Sequence, residues 1–323
     1  MDSERQKNSV VFRMPGERSF QRIEESDDGG LEVSIVPFLE ERSSVPVIRF
    51  KGESEPWEFD PGKLANAESE LIFDSYTYNQ AFEKMHDALA SGGLKKVVLS
   101  ASASIRWPGA LPTLLDSLAE SQPKAFVYWF ESASGDQWIG ATPELLLTRT
   151  GQDYRTMSLA GTKLNAETPW TEKEISEQGL VTEYIEEAIA SVDSNTRIMT
   201  NSYDRQTGHL LHRCTEISFS STLPEQDFLS VLHPTPAVCG VPKEMALELI
   251  EEVEVHHREY YSGYIGISGV QHSHYFVNLR TAKRLDGGLM LYAGGGLLSE
   301  SELTAERNEI LAKMSTITRH LTR

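Results

Sequence analysis

Two repeating patterns of apolar and polar residues divide the chain into predicted helices and strands. Apolar residues spaced three and four apart predict helices over residues 76–90, 172–192, 243–259 and 302–321. Alternating patterns and short apolar runs predict strands over residues 9–14, 31–37, 45–50, 95–105, 125–130, 137–147, 154–159, 209–219, 275–282 and 289–293. Because most of these strands follow one another without an intervening helix, the pattern favours an α+β fold over a parallel βαβ arrangement.

The predicted helix over residues 172–192 carries acidic residues on its apolar face. Its apolar residues form one stripe, and both Glu174 and Glu177 fall on that stripe. Glu174 has a second interpretation, because Thr171-x-x-Glu174 has the form of a capping box at the start of a helix. Capping explains Glu177 less well, since this residue lies deeper along the face that should meet the core.

The predicted C-terminal helix repeats this arrangement. Glu306, Glu309 and Lys313 lie along one edge of its apolar stripe. One interpretation is a surface pair between Glu309 and Lys313, which would stabilise the helix by only a few tenths of a kcal/mol. If the two acidic helices instead face each other, their four carboxylates need a cation to offset the repulsion. A set of oxygen ligands with room for water suits Mg²⁺.

Composition and charge narrow the class of protein. The 323 residues include 48 acidic and 30 basic side chains, an excess of 48 − 30 = 18 negative charges, which argues against a nucleic-acid partner. No apolar run approaches the roughly 20 residues of a membrane helix, and residues 1–8 do not resemble a secretory signal. Cys214 and Cys239 are too far apart for a CxxC motif and indicate ordinary reduced thiols. We therefore expect a cytoplasmic protein without a membrane partner.

Ten short motifs in a fixed order carry a family resemblance. They are residues 95–100 (KKVVLS), 140–147 (GATPELLL), 159–162 (LAGT), 174–177 (EISE), 209–210 (HL), 234–243 (PTPAVCGVPK), 258–263 (REYYSG), 278–280 (NLR), 292–296 (YAGGG) and 306–313 (ERNEILAK). In this order they resemble the chorismate-utilising enzymes. The first 80 residues match only loosely. Gln178 departs from the family, which usually has histidine there.

The resemblance implies a single α+β domain over residues 1–323, with antiparallel β-sheets at the core and helices outside. Residues 1–80 would form a variable N-terminal part, and residues 90–320 the catalytic part that bears the motifs. The implied substrate is chorismate, and we expect a monomer or a weak homo-oligomer.

The resemblance also implies two catalytic residues. Lys96 would be the general base that activates water for attack at C2 of chorismate, and it must be neutral to do so, which burial favours. Glu144 would be the general acid for the departing C4 hydroxyl, and burial would keep it protonated. The alternative for each is a solvated side chain at the end or edge of a strand.

Further residues match the family's metal and substrate sites. Glu177 and Glu309 resemble direct Mg²⁺ ligands, with Glu174 and Glu306 acting through water. The remaining matches are expected at the two substrate carboxylates: Gly161 and Thr162 at the ring carboxylate, and Tyr261, Arg280, Lys313, Gly294 and Gly296 at the enolpyruvyl carboxylate. His209 matches the family's histidine, although a core histidine is an equally good interpretation.

Two positions indicate which reaction the resemblance implies. Branches that use ammonia or an enzyme amine usually have glutamine at position 96 or lysine at position 160, whereas this chain has Lys96 and Ala160. Water is therefore the expected nucleophile. We expect an isochorismate synthase, for menaquinone or siderophore biosynthesis. Salicylate synthase is the main alternative. Anthranilate synthase component I is a weaker alternative, and a non-catalytic chorismate-binding protein is the weakest.

Overall fold

The computed structural model describes residues 6–60, 62–163, 167–207 and 210–321, without the side chains of Thr162, Lys173, Thr207 and Leu210. The strands are β1 (Ser9–Arg13), β2 (Phe20–Glu24), β3 (Leu31–Val36), β4 (Ile48–Gly52), β5 (Ser54–Trp57), β6 (Ile72–Phe73), β7 (Lys96–Arg106), β8 (Phe126–Glu131), β9 (Gln137–Thr142), β10 (Leu145–Thr150), β11 (Asp153–Lys163), β12 (Met199–Thr207), β13 (Leu210–Ser220), β14 (Gly240–Val241), β15 (Tyr264–Ser268), β16 (His272–Val277), β17 (Thr281–Leu285) and β18 (Gly288–Leu297). The helices are α1 (Ser75–Ala90), α2 (Leu111–Ser121), α3 (Glu172–Val192), α4 (Glu225–Leu232), α5 (Lys243–Val253) and α6 (Leu303–Thr318).

The strands form two antiparallel sheets. One runs in the order β14-β7-β18-β17-β9-β8-β1-β2-β5, with β6 also paired to β7, and we call it sheet A. The other, sheet B, runs β12-β13-β11-β10-β16-β15-β3-β4. The N-terminal part supplies strands to both sheets, since β1 pairs with β8 and β3 pairs with β15. The structure thus confirms the predicted α+β class with antiparallel sheets.

The two sheets face each other across an aromatic layer, and the helices lie outside. Phe126 on sheet A stacks on Phe276 on sheet B, with ring centroids 4.3 Å apart, a geometry favourable for aromatic pairs. On the outer faces, α1 packs on β7, α2 on β8 and β9, α3 on β11, and α6 on β18. In the described part of the chain, each helix is too short or too polar to cross a membrane.

The predicted start of α1 is confirmed and has a local cap. The predicted end of α5 is wrong, because the chain there forms a buried ion pair instead of continuing the helix. At the start of α1 the Asp74 carboxylate accepts hydrogen bonds from the backbone N–H groups of Tyr76 and Thr77, each at 3.1 Å. The helix predicted over residues 243–259 is too long, because α5 ends at Val253. Beyond it, Glu254 turns inward and pairs with the Arg258 guanidinium at 2.6 Å.

Two predicted strands are each divided in the structure. The run 137–147 breaks between β9 in sheet A and β10 in sheet B, and the run 275–282 breaks between β16 in sheet B and β17 in sheet A. Glu144 lies in the first break and Arg280 in the second. The chain therefore crosses between the sheets at two predicted site residues.

Candidate active site

A small, partly open cavity, lined by residues of both sheets and of two helices, contains most of the predicted site residues. Its volume is about 60 Å³. The predicted residues that line it are Glu144, Gly161, Glu177, Tyr261, Arg280, Gly294, Gly296, Glu309 and Lys313. Ala160 also lines it. The walls come from β11 of sheet B, β18 of sheet A, the two crossings between the sheets, and the inner faces of α3 and α6.

Lys96 lies directly behind the wall of this cavity. Its side chain is fully buried (0 % exposed), and its Nζ is 3.0 Å from Oε1 of Glu177, which lines the cavity. Gly296 leaves room for this ion pair: a Cβ there would lie 2.2 Å from Glu177 Oε1 and 2.8 Å from Lys96 Cε. The alternative of a solvated strand-end lysine is therefore wrong for Lys96. Whether it acts as a base stays a prediction.

Glu144 is a buried carboxyl group at the crossing between β9 and β10. It is 3 % exposed, and burial raises its pKa to about 7, against the opposing effect of the Lys96 ammonium. Its backbone is fixed on both sides, since Val277 N donates to Glu144 O at 3.1 Å and Glu144 N donates to Thr142 Oγ1 at 3.3 Å. Glu144 is therefore a buried carboxyl group that is partly protonated at neutral pH, on a backbone that is hydrogen-bonded on both sides.

Arg280 is directed into the cavity by an unusual backbone conformation. Its φ of 51° lies in the left-handed region, which a non-glycine residue adopts only when its surroundings impose it. Burial lowers the pKa of the guanidinium to about 10, so it remains charged at neutral pH. Its Nη2 lies 3.3 Å from Nε2 of His212, and its buried Nη1 has no hydrogen-bond partner among the described residues. One N–H group is therefore available to an anionic ligand.

His212 is a cavity residue that the sequence interpretation did not include. Burial and the neighbouring Arg280 charge hold its pKa well below the usual value, so the ring is neutral and its Nε2 accepts from Arg280. The motif match had selected His209, which lies outside the described residues. The sequence signal for His212 was its position two residues before the buried Cys214 on β13, which places both side chains on the same face of the strand.

A second group of predicted residues surrounds Gly294 on β18. A Cβ at this position would lie 2.8 Å from Tyr261 Oη, so glycine allows the phenol to approach the strand. Lys313 Nζ donates to Gly294 O at 2.7 Å. Burial raises the pKa of Tyr261 to about 12, so its hydroxyl stays protonated and able to donate. These groups form a cationic and donor-rich corner of the cavity beside Arg280.

Gly161 forms a bulge in β11 that brings backbone to the cavity. Its φ is +68°, and the register with β13 shifts between Ala160 and Thr162. Gln178 fixes this bulge, because its Oε1 accepts from Ala160 N at 2.8 Å while its amide donates to Ser158. The side chain of Thr162 lies outside the described part of the structure.

Of the four predicted metal ligands, two line the cavity and two make contacts elsewhere. Glu177 and Glu309 line the cavity, where they pair with Lys96 at 3.0 Å and Lys313 at 2.6 Å. Glu174 forms the capping box with Thr171, accepting its backbone N–H at 2.8 Å, so that interpretation of Glu174 is confirmed.

The fourth ligand, Glu306, is buried against Gly295, on the face of β18 opposite Gly294 and Gly296. The described residues contain no ready-made group of three or more metal-binding side chains. Two carboxylates on one cavity nevertheless suit Mg²⁺, which often uses one or two carboxylates with water and substrate. The donor set therefore fits Mg²⁺ through Glu177 and Glu309.

Comparison with known proteins decides the family. Residues 53–322 match the sequence model of the family described as chorismate binding enzyme. The chain belongs to this family. Among relatives of this chorismate-binding enzyme, the vibriobactin-specific isochorismate synthase of Vibrio cholerae is 31% identical over 314 residues, covering 90% of this chain and 79% of the relative.

Solved structures share the fold of this chorismate-binding enzyme. MenF, the menaquinone-specific isochorismate synthase from Escherichia coli, superposes with a TM-score of 0.84 at 19% identity, covering 99% of this chain and 90% of that one. Anthranilate synthase component I from Streptococcus pneumoniae superposes with a TM-score of 0.77 at 17% identity, covering 99% of this chain and 94% of that one. These structures confirm the fold class. Because both enzyme types share the fold, the reaction must be argued from the site.

Proposed function

We propose that this chain is an isochorismate synthase, which converts chorismate to isochorismate by adding water at C2 and releasing the C4 hydroxyl. The observation that carries the proposal is a buried carboxyl group and a buried amine at one site. Glu144 lines the cavity with its pKa raised to about 7, and the Lys96 amine lies behind the adjoining wall, 3.0 Å from Glu177. The names of the relatives agree with this reaction.

Glu144 would supply the proton that lets the C4 hydroxyl leave. A general acid works best when its pKa lies near the working pH, because a useful fraction is then protonated and the proton is still easily transferred. The value near 7 meets this condition, which an exposed glutamate would not. The Glu144 backbone is hydrogen-bonded at both its N and its O, which fixes the point from which the carboxyl group projects into the cavity.

Lys96 would take a proton from the attacking water. Water is a poor nucleophile at neutral pH and needs such a base, and no enzyme amine is available at position 160 because Ala160 contributes only a methyl group to the cavity. This combination favours hydroxyl transfer over amination.

The positive groups of the cavity would hold the substrate carboxylates. The Arg280 N–H without a protein partner and the Tyr261 hydroxyl suit the enolpyruvyl carboxylate, together with Lys313 and the backbone near Gly294 and Gly296. The Gly161 bulge, with the backbone of Thr162 beyond it, would meet the ring carboxylate. His212, neutral and bonded to Arg280, orients the guanidinium.

Glu177 and Glu309 would hold Mg²⁺, with Glu174 and Glu306 behind them. Mg²⁺ would neutralise the ring carboxylate in a protein whose net charge is −18. Each of these carboxylates lies within 3.0 Å of a lysine amine, which supports a site that accommodates positive charge beside them.

Several finer assignments belong to the same proposal. The product would serve menaquinone or siderophore biosynthesis in the cytoplasm, and the enzyme would act as a monomer or weak homo-oligomer. Salicylate synthase is the second candidate, because loss of pyruvate from isochorismate could follow in the same cavity.

Product analysis tests the proposal directly. The purified protein is incubated with chorismate and Mg²⁺, or with EDTA, and the products are separated by chromatography. We expect isochorismate with Mg²⁺, almost none with EDTA, and recovery when Mg²⁺ is restored. Stoichiometric pyruvate and salicylate would instead support the second candidate, and chorismate recovered unchanged in every arm would overturn the assignment.

A further inference from the structure

The cavity is too small, as it stands, to hold its proposed substrate. Its volume of about 60 Å³ corresponds to roughly two water molecules, whereas sites for small organic ligands usually measure about 300 Å³ or more. A larger open groove of about 780 Å³ adjoins it between the rims of the two sheets. Pro143, next to Glu144, contributes to the walls of both. The groove and the cavity therefore share a wall at the crossing that carries the proposed acid.

Arg205 stands where the groove meets the cavity. It lies on β12, the edge strand of sheet B, and pairs in register with His212, which lines the cavity. The Arg205 side chain lines the groove. Directly opposed residues in an antiparallel pair project from the same face, so Arg205 is one strand away from the cavity wall.

The Arg205 guanidinium bridges the two sheets through weak contacts. Its Nη2 donates to the backbone oxygen of Lys124, just before β8 of sheet A, at 3.3 Å. Its Nη1 contacts Met157 Sδ on sheet B at 3.2 Å. One contact is long for an N–H···O bond and the other uses a weak sulfur acceptor. The structure gives this guanidinium no carboxylate partner among the described residues, so an arriving anion could replace both contacts.

The charge of Arg205 also reaches the cavity. It lowers the pKa values of both Glu144 and His212, which shows that its field extends through the wall. The groove also contains other charged side chains, of both signs. Arg155 is basic, and the acidic side chains are Glu17, Asp153 and Glu216.

Asp153 lies at the start of β11, far along the strand from Gly161, and Glu216 accepts a hydrogen bond from Tyr203 at 2.8 Å. Arg205 is therefore the positive group at the inner end of the groove.

We propose that chorismate reaches the cavity through this groove, and that Arg205 attracts the dianion at the inner end and releases Lys124 and Met157 to let it pass. This inference rests on the proposed function only in taking chorismate as the ligand. In a protein with a net charge of −18, a positive group at the inner end of the path should govern the rate of association more than the chemistry that follows.

Association kinetics with chorismate test the role of Arg205. Binding is followed by stopped-flow fluorescence in a Glu144→Gln background with Mg²⁺ present, so that turnover does not interfere. Arg205→Gln is compared with Arg205→Lys, which keeps the charge. Arg106→Gln is the matched control, because it removes the same charge ten residues along β7 from Lys96, about 33 Å away.

The expected loss follows from the charge removed. For a dianion approaching to about 6 Å in water, losing one positive charge lowers the association rate constant roughly tenfold at low ionic strength and about threefold near 0.15 M salt. Arg205→Lys and Arg106→Gln should both stay within about twofold of the background enzyme.

Equal association rates for Arg205→Gln and Arg106→Gln at low ionic strength would overturn the proposal, as would a rate for Arg205→Lys as low as that of Arg205→Gln. The measurement does not depend on which product the active enzyme forms, so an unexpected product would revise the proposed function and leave this result standing. Failure of the background enzyme to bind chorismate at all would overturn both.

Discussion

The raised pKa of Glu144 has a consequence for stability that is independent of catalysis. A carboxyl group with a pKa of about 7 in the folded protein and 4.5 when exposed holds its proton more tightly in the folded state. The difference corresponds to roughly 3 kcal/mol, at about 1.4 kcal/mol for each tenfold change in proton affinity. Burial of the carboxyl group is the cause, since the neighbouring cations oppose the shift.

The sign of this effect fixes the pH range in which it appears. Below pH 4.5 the group is protonated in both states, so its stabilising effect is fully present. Between pH 4.5 and about 7 the unfolded chain releases the proton while the folded chain keeps it, and the stability falls. Above about pH 7 both forms are ionised and the full penalty applies. Glu144→Gln removes this dependence, so the substituted protein should gain stability relative to wild type as pH rises.

Urea denaturation at pH 5 and pH 8 measures the prediction. The free energy of unfolding of Glu144→Gln minus that of wild type should be larger at pH 8 by roughly 2–3 kcal/mol. If the glutamine amide fits the site less well than the carboxyl group, the resulting loss of stability is the same at both pH values and cancels when they are compared. Glu248→Gln on the exposed face of α5 is the control, because its carboxylate is in water and the same comparison should give no change. A difference for Glu144→Gln that does not vary with pH would refute the buried, protonated carboxyl.

Three further substitutions test the rest of the site. Lys96→Gln should lower kcat by roughly 10² or more in steady-state assays, and unaltered turnover would remove Lys96 as the base. Gly296→Ala should displace Glu177 from Lys96, because its Cβ would lie 2.2 Å from Glu177 Oε1. We expect it to weaken the Mg²⁺ dependence of turnover, and a wild-type Mg²⁺ titration would contradict the geometry. Arg280→Lys should raise KM about tenfold through loss of paired N–H contacts, and an unchanged KM would show that Arg280 does not hold the substrate.

The sequence predicted the site better than it predicted the local backbone that builds it. Apolar periodicity located α1 and α3 because their packing faces and caps are encoded within the helices themselves. It treated the runs around Glu144 and Arg280 as continuous strands, because both flanks of each run are apolar. The breaks arise from tertiary structure: each flank pairs with a different sheet, which local periodicity does not reveal.

The sequence did not predict the polar contacts beyond α5, for a similar reason. The helix predicted over residues 243–259 includes His256, but this residue lies beyond the end of α5, is half-buried, and has its Nε2 2.8 Å from Ser100 Oγ. Glu254 accepts the backbone N–H of Ser100 at 2.7 Å. These partners are more than 150 residues away in sequence, so helical spacing could not indicate that the helix ends before them.

The most direct test of the central claim is the origin of the new hydroxyl oxygen. The enzyme is incubated with chorismate and Mg²⁺ in water enriched in oxygen-18, and the isochorismate is analysed by mass spectrometry at low conversion. If water attacks C2 while the C4 hydroxyl leaves, each isochorismate molecule should carry one solvent-derived oxygen at C2. Isochorismate that retains only the original oxygen-16 would contradict the proposed attack by water and the roles of Lys96 and Glu144.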